Sequence, residues 1–226
     1  DIIGGHHGKE SSATFRRSAA GVVGRAFEGG AFIIPASANL KIHDTFTISV
    51  WINSQDINSD GWPSIFTKGS ASNSRQFLKL QQVNNSRKVA MRLDLLGSGT
   101  QTLNPSANII DGEWHHILYT SSGTKLFAYF DGQLVGSMNL TIDSYGIDDP
   151  TSDIRVGTAT NDLYIDEIGL WSRQLTEDEI QQLYRRTANH LHYFVRSCSS
   201  ADCSDADWIG GTGSEAFSEL LNTTSL

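Results

Sequence analysis

Alternation is the clearest pattern in the chain. Phe46, Ile48, Val50 and Ile52 alternate with Thr47, Ser49 and Trp51, which predicts a strand whose Phe and Ile face is core. Val89, Met91, Leu93 and Leu95 alternate with Ala90, Arg92 and Asp94, so the second set is expected in solvent or in a concave groove. Two short strands are read around the turn Glu28-Gly29-Gly30. Further strands are read at Ile65 to Lys68, Gln76 to Gln82, Glu113 to Thr120 and Lys125 to Asp131, the last closing on an Asp131-Gly132 turn before Gln133 to Leu140 returns. Residues 96–111 read as loop-rich. Ile154 to Gly157 and Tyr164 to Trp171 complete the set, with Leu163 and Ile165 pointing one way and Tyr164, Asp166 and Ile168 the other.

After Trp171 the period changes. Thr176 and Glu179 form a capping box, and Ile180, Leu183 and Tyr184 follow at helical spacing. This predicts one short amphipathic helix, placed over an open end of the domain. From Ala188 the composition changes again, and HLHYFVRSC followed by CSDADWIGG reads as a β-hairpin tail. The patterns together predict an all-β domain over residues 1–187. It carries one short C-terminal helix, and an appended β-hairpin tail over 188–226 belongs to an adjoining β module or docks on that domain.

Four ordered motifs carry a family resemblance across residues 1–186. They are Gly24-Arg25-Ala26-Phe27, the Phe46–Ile52 strand, Asp111-Gly112-Glu113-Trp114-His115-His116 leading to Phe127–Gly132, and Tyr164-Ile165-Asp166-Glu167 leading through Trp171 and Thr176 to Leu183-Tyr184. The chain resembles laminin-G-like, concanavalin-A-like lectin and glucanase jelly rolls, which implies an antiparallel two-sheet jelly-roll sandwich over residues 1–187. That family starts with a strand absent here, which would lie upstream or be supplied by the tail. The resemblance also implies a structural calcium, held here by Asp1, carbonyls of the Gly4–His7 region and Asp166. The tail resembles a segment that recurs in large bacterial surface proteins.

Charge narrows the partners. The formal net charge is -8 and the basic residues are scattered, which argues against nucleic acid and anionic membranes. No apolar run is long enough to insert in a membrane. The chain begins at Asp1 without a signal-peptide pattern and is read as a mature fragment or a cut from a longer protein. Cys198 and Cys203 flank a polar turn; a local disulfide is favoured over free thiols or a metal site, and would place the protein outside the reducing cytosol. His6 and His7 are read as surface histidines.

Catalysis finds little support in the motifs. Retaining glycosidases need two carboxyls on one face, whereas Asp166 and Glu167 are adjacent and Tyr164 and Ile168 occupy the positions that flank Asp166. No nucleophile elbow occurs, and His115 and His116 read as structural, one ring packed and one in solvent. Recognition by rim loops remains, and its candidates are Asp60 and Trp62 with Asp56, Asn73 and Arg75, Arg92, Tyr145, and Asn161 with Asp162. Aromatic rings stack on sugars while carboxylate, amide and guanidinium groups bond their hydroxyls. The expected function is noncatalytic carbohydrate binding or adhesion on a secreted or bacterial cell-surface protein, with a glycan or surface-protein ligand. The alternative is a protein-binding or structural module at an oligomeric, trimeric fibre tip paired through the tail; a glycoside hydrolase comes last.

Overall fold

A computed structural model describes residues 9–10, 16–17, 20–55, 62–69, 77–95, 98–141, 152–157 and 163–188. The strands in chain order are β1 (Lys9–Glu10), β2 (Arg16–Arg17), β3 (Phe27–Glu28), β4 (Ala31–Ile34), β5 (Thr45–Asn53), β6 (Ser64–Gly69) and β7 (Phe77–Gln82). They continue as β8 (Val89–Leu95), β9 (Gly99–Leu103), β10 (Trp114–Ser122), β11 (Lys125–Phe130), β12 (Gln133–Asn139), β13 (Ile154–Gly157) and β14 (Tyr164–Trp171), and helix α1 follows at Glu177–Ala188. One sheet has the order β1-β4-β13-β6-β7-β8-β9 and the other β12-β11-β10-β5-β14-β3-β2, all pairs antiparallel. Sheets packed face to face with alternating inward side chains make the all-β sandwich that the resemblance implies.

The core lies between the sheets. Phe46, Ile48, Val50 and Ile52 of β5 meet Val89, Met91, Leu93 and Leu95 of β8 in one cluster, with Tyr119 and Phe130 edge to face at 6.1 Å. Tyr119 is fully buried and its hydroxyl donates to the Val89 carbonyl at 3.0 Å, so its polar end is satisfied. Each large apolar side chain buried this way contributes about 1.5–3 kcal/mol relative to exposure. Lys68 is the departure from that rule: it is buried on the core side, where its Nζ donates to the Ser152 carbonyl at 2.9 Å.

One local expectation is corrected and two are refined. Residues 96–111 contain β9, which pairs with β8; its sequence, Gly-Thr-Gln-Thr-Leu, has a single apolar residue and so gives no hydrophobic alternation. The Gly29-Gly30 turn, with φ of 60° and 72°, carries the chain from one sheet to the other, because β3 pairs with β2 and β14 while β4 pairs with β1 and β13. In β14 the alternation breaks at a bulge between Asp166 and Gly169, where Glu167 takes φ 45°. The extra residue reverses the parity, so Ile168 and Leu170 pack on the same core as Ile165.

The helix covers the outer face of the second sheet, not an open end. Leu175 and Ile180 pack on Leu118 and Tyr129, and Tyr184 stacks on Trp51 at 5.8 Å. This explains why Thr47, Ser49 and Trp51, the polar-side set of β5, are buried too. Thr47 Oγ1 donates to the Arg173 carbonyl at 2.8 Å and accepts from the Leu175 amide at 3.1 Å, tying the approach segment to the sheet. The capping box forms as its sequence predicts: the Glu179 amide donates to Thr176 Oγ1 and the Thr176 amide to Glu179 Oε2. Among the described residues no helix is long and apolar enough to cross a membrane.

Candidate functional site

The outer face of the first sheet has no helix among the described elements packed on it, and it gathers the polar chemistry. In β8 the core takes Met91 and Leu93, so Arg92 and Asp94 point outward. The Arg92 guanidinium grips Asp94 with two bonds, Nε to Oδ1 at 3.2 Å and Nη2 to Oδ2 at 2.7 Å. Thr100 on β9 donates to the same carboxylate. Asp94 is 6% exposed, and a buried carboxylate that accepts three donors is held rigidly.

Across β7, Lys79 stands directly opposite Arg92. Its Nζ donates to the Trp62 carbonyl at 2.5 Å, which pins the residue whose side chain is 47% exposed. Burial lowers the Lys79 pKa, and the neighbouring Arg92 charge lowers it further. Trp62 and Arg92, thirty positions apart in the chain, are thereby connected through one lysine. An open depression of about 410 Å³ lies further along this face, lined by Ile33, Thr67, Gly69, Ser152, Asp153 and Arg155. Asp153 Oδ1 there accepts from the Ala36 amide at 2.7 Å. Lys79, Thr67 and Arg155 were not among the expected site residues; alternation alone puts them on a polar face, and only strand register brings them together.

Asp166 is the described member of the expected calcium set, since Asp1 and Gly4–His7 lie outside the described residues. Its Oδ2 accepts from the Val23 amide at 2.9 Å and its Oδ1 from the Glu167 amide at 2.8 Å. Desolvation raises its pKa, and the backbone donors oppose that rise. Gly21 presses against it so closely that a Cβ there would stand 2.5 Å from Oδ2. In the described structure Asp166 therefore clamps the Gly21–Gly24 turn onto β14. Among the described residues no group of three His, Cys, Asp or Glu side chains is placed to hold a metal, so this part of the set does not make a cage by itself. Glu167 is exposed on the bulge with a positive φ, so it and Asp166 do not form an opposed pair of carboxylates across a cleft.

The paired histidines separate as packed and partly exposed rings. His116 is buried beneath Trp51 and Tyr184, its Nε2 2.7 Å from Ser49 Oγ, and burial lowers its pKa to about 4. His115 is not simply in solvent: Nδ1 lies 2.7 Å from Asp131 Oδ2 and Nε2 3.1 Å from Asp111 Oδ1, and these carboxylates raise its pKa against the cost of desolvation. The pair fastens the Asp131-Gly132 hairpin to the sheet. Asp60, Asn73, Arg75, Tyr145, Asn161, Cys198 and Cys203 lie outside the described residues, as does the tail.

Two seven-stranded antiparallel sheets packed face to face make a jelly-roll sandwich. Residues 27–181 match the laminin-G-type model of the concanavalin A-like lectin/glucanases superfamily, and the chain belongs to that family. No curated protein matches it in sequence. Among solved structures it is similar to the binding domain of paraclostridial mosquitocidal protein 1, at 16% identity and TM-score 0.68, over 81% of this chain and 48% of that one. It is also similar to the botulinum neurotoxin serotype D ligand binding domain in complex with N-acetylneuraminic acid, at 18% identity and TM-score 0.64, covering 80% and 47%. A third is botulinum neurotoxin type C, whose cell entry depends on interaction with two ganglioside molecules, at 14% identity and TM-score 0.62, covering 81% and 47%. The chain thus spans less than half the length of these toxin chains, and at such identities the likeness is one of fold.

Proposed function

We propose that this chain is a noncatalytic carbohydrate-recognition domain of a secreted or cell-surface protein. The observation that carries the reading is that Lys79 holds the backbone carbonyl of Trp62, whose side chain is exposed, while standing opposite Arg92, which grips Asp94 on the outer sheet face. An indole offers a stacking surface for the apolar side of a sugar ring, while Arg92 and Lys79 donate to its hydroxyls. The absence of an opposed carboxylate pair around Asp166 supports binding without hydrolysis. The sialic acid and ganglioside binding of the structurally similar toxin proteins is consistent with a glycan ligand.

A glycan array with the purified chain, run in calcium and in chelator, tests this. The expected result is selective binding that falls at least tenfold in Trp62→Ala. Loss in chelator would support a calcium shared by Asp1, the Gly4–His7 carbonyls and Asp166; persistence would remove the metal from the proposal. Binding to no glycan in either condition overturns the reading in favour of a protein-binding module.

A further inference from the structure

Strand register sets seven residues in one line across the first sheet: Lys9, Ile33, Arg155, Thr67, Lys79, Arg92 and Thr102 are successive cross-strand partners from β1 to β9. Directly paired residues share a face. That face is the outer one, because the residues beside them, Phe32, Val156, Phe66, Leu78, Leu80, Met91 and Leu103, pack in the core. The row therefore holds four cations and no carboxylate, in a chain whose net charge is -8. Among the described residues, two carboxylates stand two positions from row members on the same strands or their approach, and both are engaged: Asp94 by Arg92, and Asp153, which accepts from the Ala36 amide.

Spacing gives the row a period. Neighbouring strands lie about 4.8 Å apart, so Lys9, Arg155 and Lys79, each two strands from the next, recur about every 10 Å. That is the reach of a disaccharide unit. Between the first two cations lies Ile33, an apolar surface for a ring face, and between the next two lies Thr67, whose Oγ1 is buried without a hydrogen-bond partner. The depression of about 410 Å³ beside Ile33, Thr67 and Arg155 is of ligand-binding size. Lys79 and Arg92 stand directly opposite one another, and an anion beside Lys79 would add to the compensation that Asp94 already gives Arg92.

We propose that this row is the binding track for an acidic polysaccharide carrying a charged group on every second sugar, laid across the strands from β1 toward β8. The inference rests on the carbohydrate-recognition reading and names its ligand class and site. Lys9, Arg155 and Lys79 meet successive anionic groups, Ile33 packs against the intervening ring, and Arg92 with Asp94 closes the track at its β9 end.

Titration of the whole chain with a hyaluronan octasaccharide, which has a carboxylate on alternate sugars, tests this by calorimetry. Arg155→Gln and Lys79→Gln are each expected to weaken binding about tenfold and the double variant about a hundredfold, with the melting temperature unchanged in Arg155→Gln. Arg185→Gln, the same charge change on α1 over the other sheet, is expected to leave affinity within twofold. Carboxyl-reduced octasaccharide should not bind, and affinity should fall from low to high salt. The inference is overturned if the row variants bind as tightly as the parent, if the reduced sugar binds equally, or if a single-stranded DNA of equal charge competes equally. Binding of neutral glycans on the array with none of hyaluronan overturns the inference and leaves the carbohydrate reading intact; no glycan binding at all overturns both.

Discussion

Two adjacent histidines in this protein have opposite effects on its pH dependence, because they point into opposite surroundings. His116 is held neutral by burial, with a folded pKa of about 4 against 6.5 for the free side chain. Between those values the unfolded chain binds the proton and the folded one does not, so stability rises with pH across that window, by roughly 3 kcal/mol in all. His115 is the reverse case. Its pKa is raised by Asp131 and Asp111, so its contribution is fully present below 6.5 and is lost as pH rises through the higher folded value. Urea unfolding from pH 4 to 8 is expected to show the midpoint climbing to about pH 6.5 and then declining; in His116→Gln the acid-side climb should largely disappear, and in His115→Gln the alkaline decline. A profile unchanged by His116→Gln would show that the ring is solvated in the folded protein.

At the scale of elements, α1 shows how a locally encoded helix acquires a nonlocal role. The capping box and the Arg173 to Glu179 ion pair define its start, and neither needs the sheet. Its docking does. The Gln181 amide donates to the Gly132 carbonyl on the β11 to β12 turn, Gly132 takes φ 75°, and Tyr184 stacks on Trp51. Thermal and urea denaturation should find Thr176→Ala destabilising by about 1 kcal/mol, the usual loss for a cap. Tyr184→Ala, which uncovers Trp51 and His116, is expected to cost about 2–4 kcal/mol. The same substitution should raise the His116 pKa, followed by its imidazole NMR shift, because water then reaches the ring. Equal small losses from both changes would mean that the helix contributes only its own local stability.

For the molecule as a whole, the two sheets are protected unequally. β5 and β10 lie inside their sheet, between the main core on one face and the helix layer on the other, whereas β1 and β2 are two-residue strands at sheet edges. Native-state hydrogen exchange is therefore expected to be slowest at Ile48, Val50, Ile117 and Tyr119 and fastest at Lys9 and Arg16, since edge amides open without breaching a core. Comparable protection in edge and centre would contradict this layered picture. Among the described residues, the helix rests on the second sheet's outer face and no helix rests on the first.

Much of this was legible in sequence because periodicity and caps are local. The alternation in β5, β8 and β13, the Asp131-Gly132 turn and the Thr176 to Glu179 box each depend on residues a few positions apart, and they determined the class of fold and the helix. Trp62 and Arg92 could be singled out by residue type, but not their connection. Tertiary structure alone decided the bulge that reverses β14, the face on which α1 rests, and the pairing of strands distant in sequence. The cation row shows the reason most plainly: Lys9, Arg155 and Lys79 are spread over most of the chain, and register, a property of strand pairs and not of any one strand, places them in line.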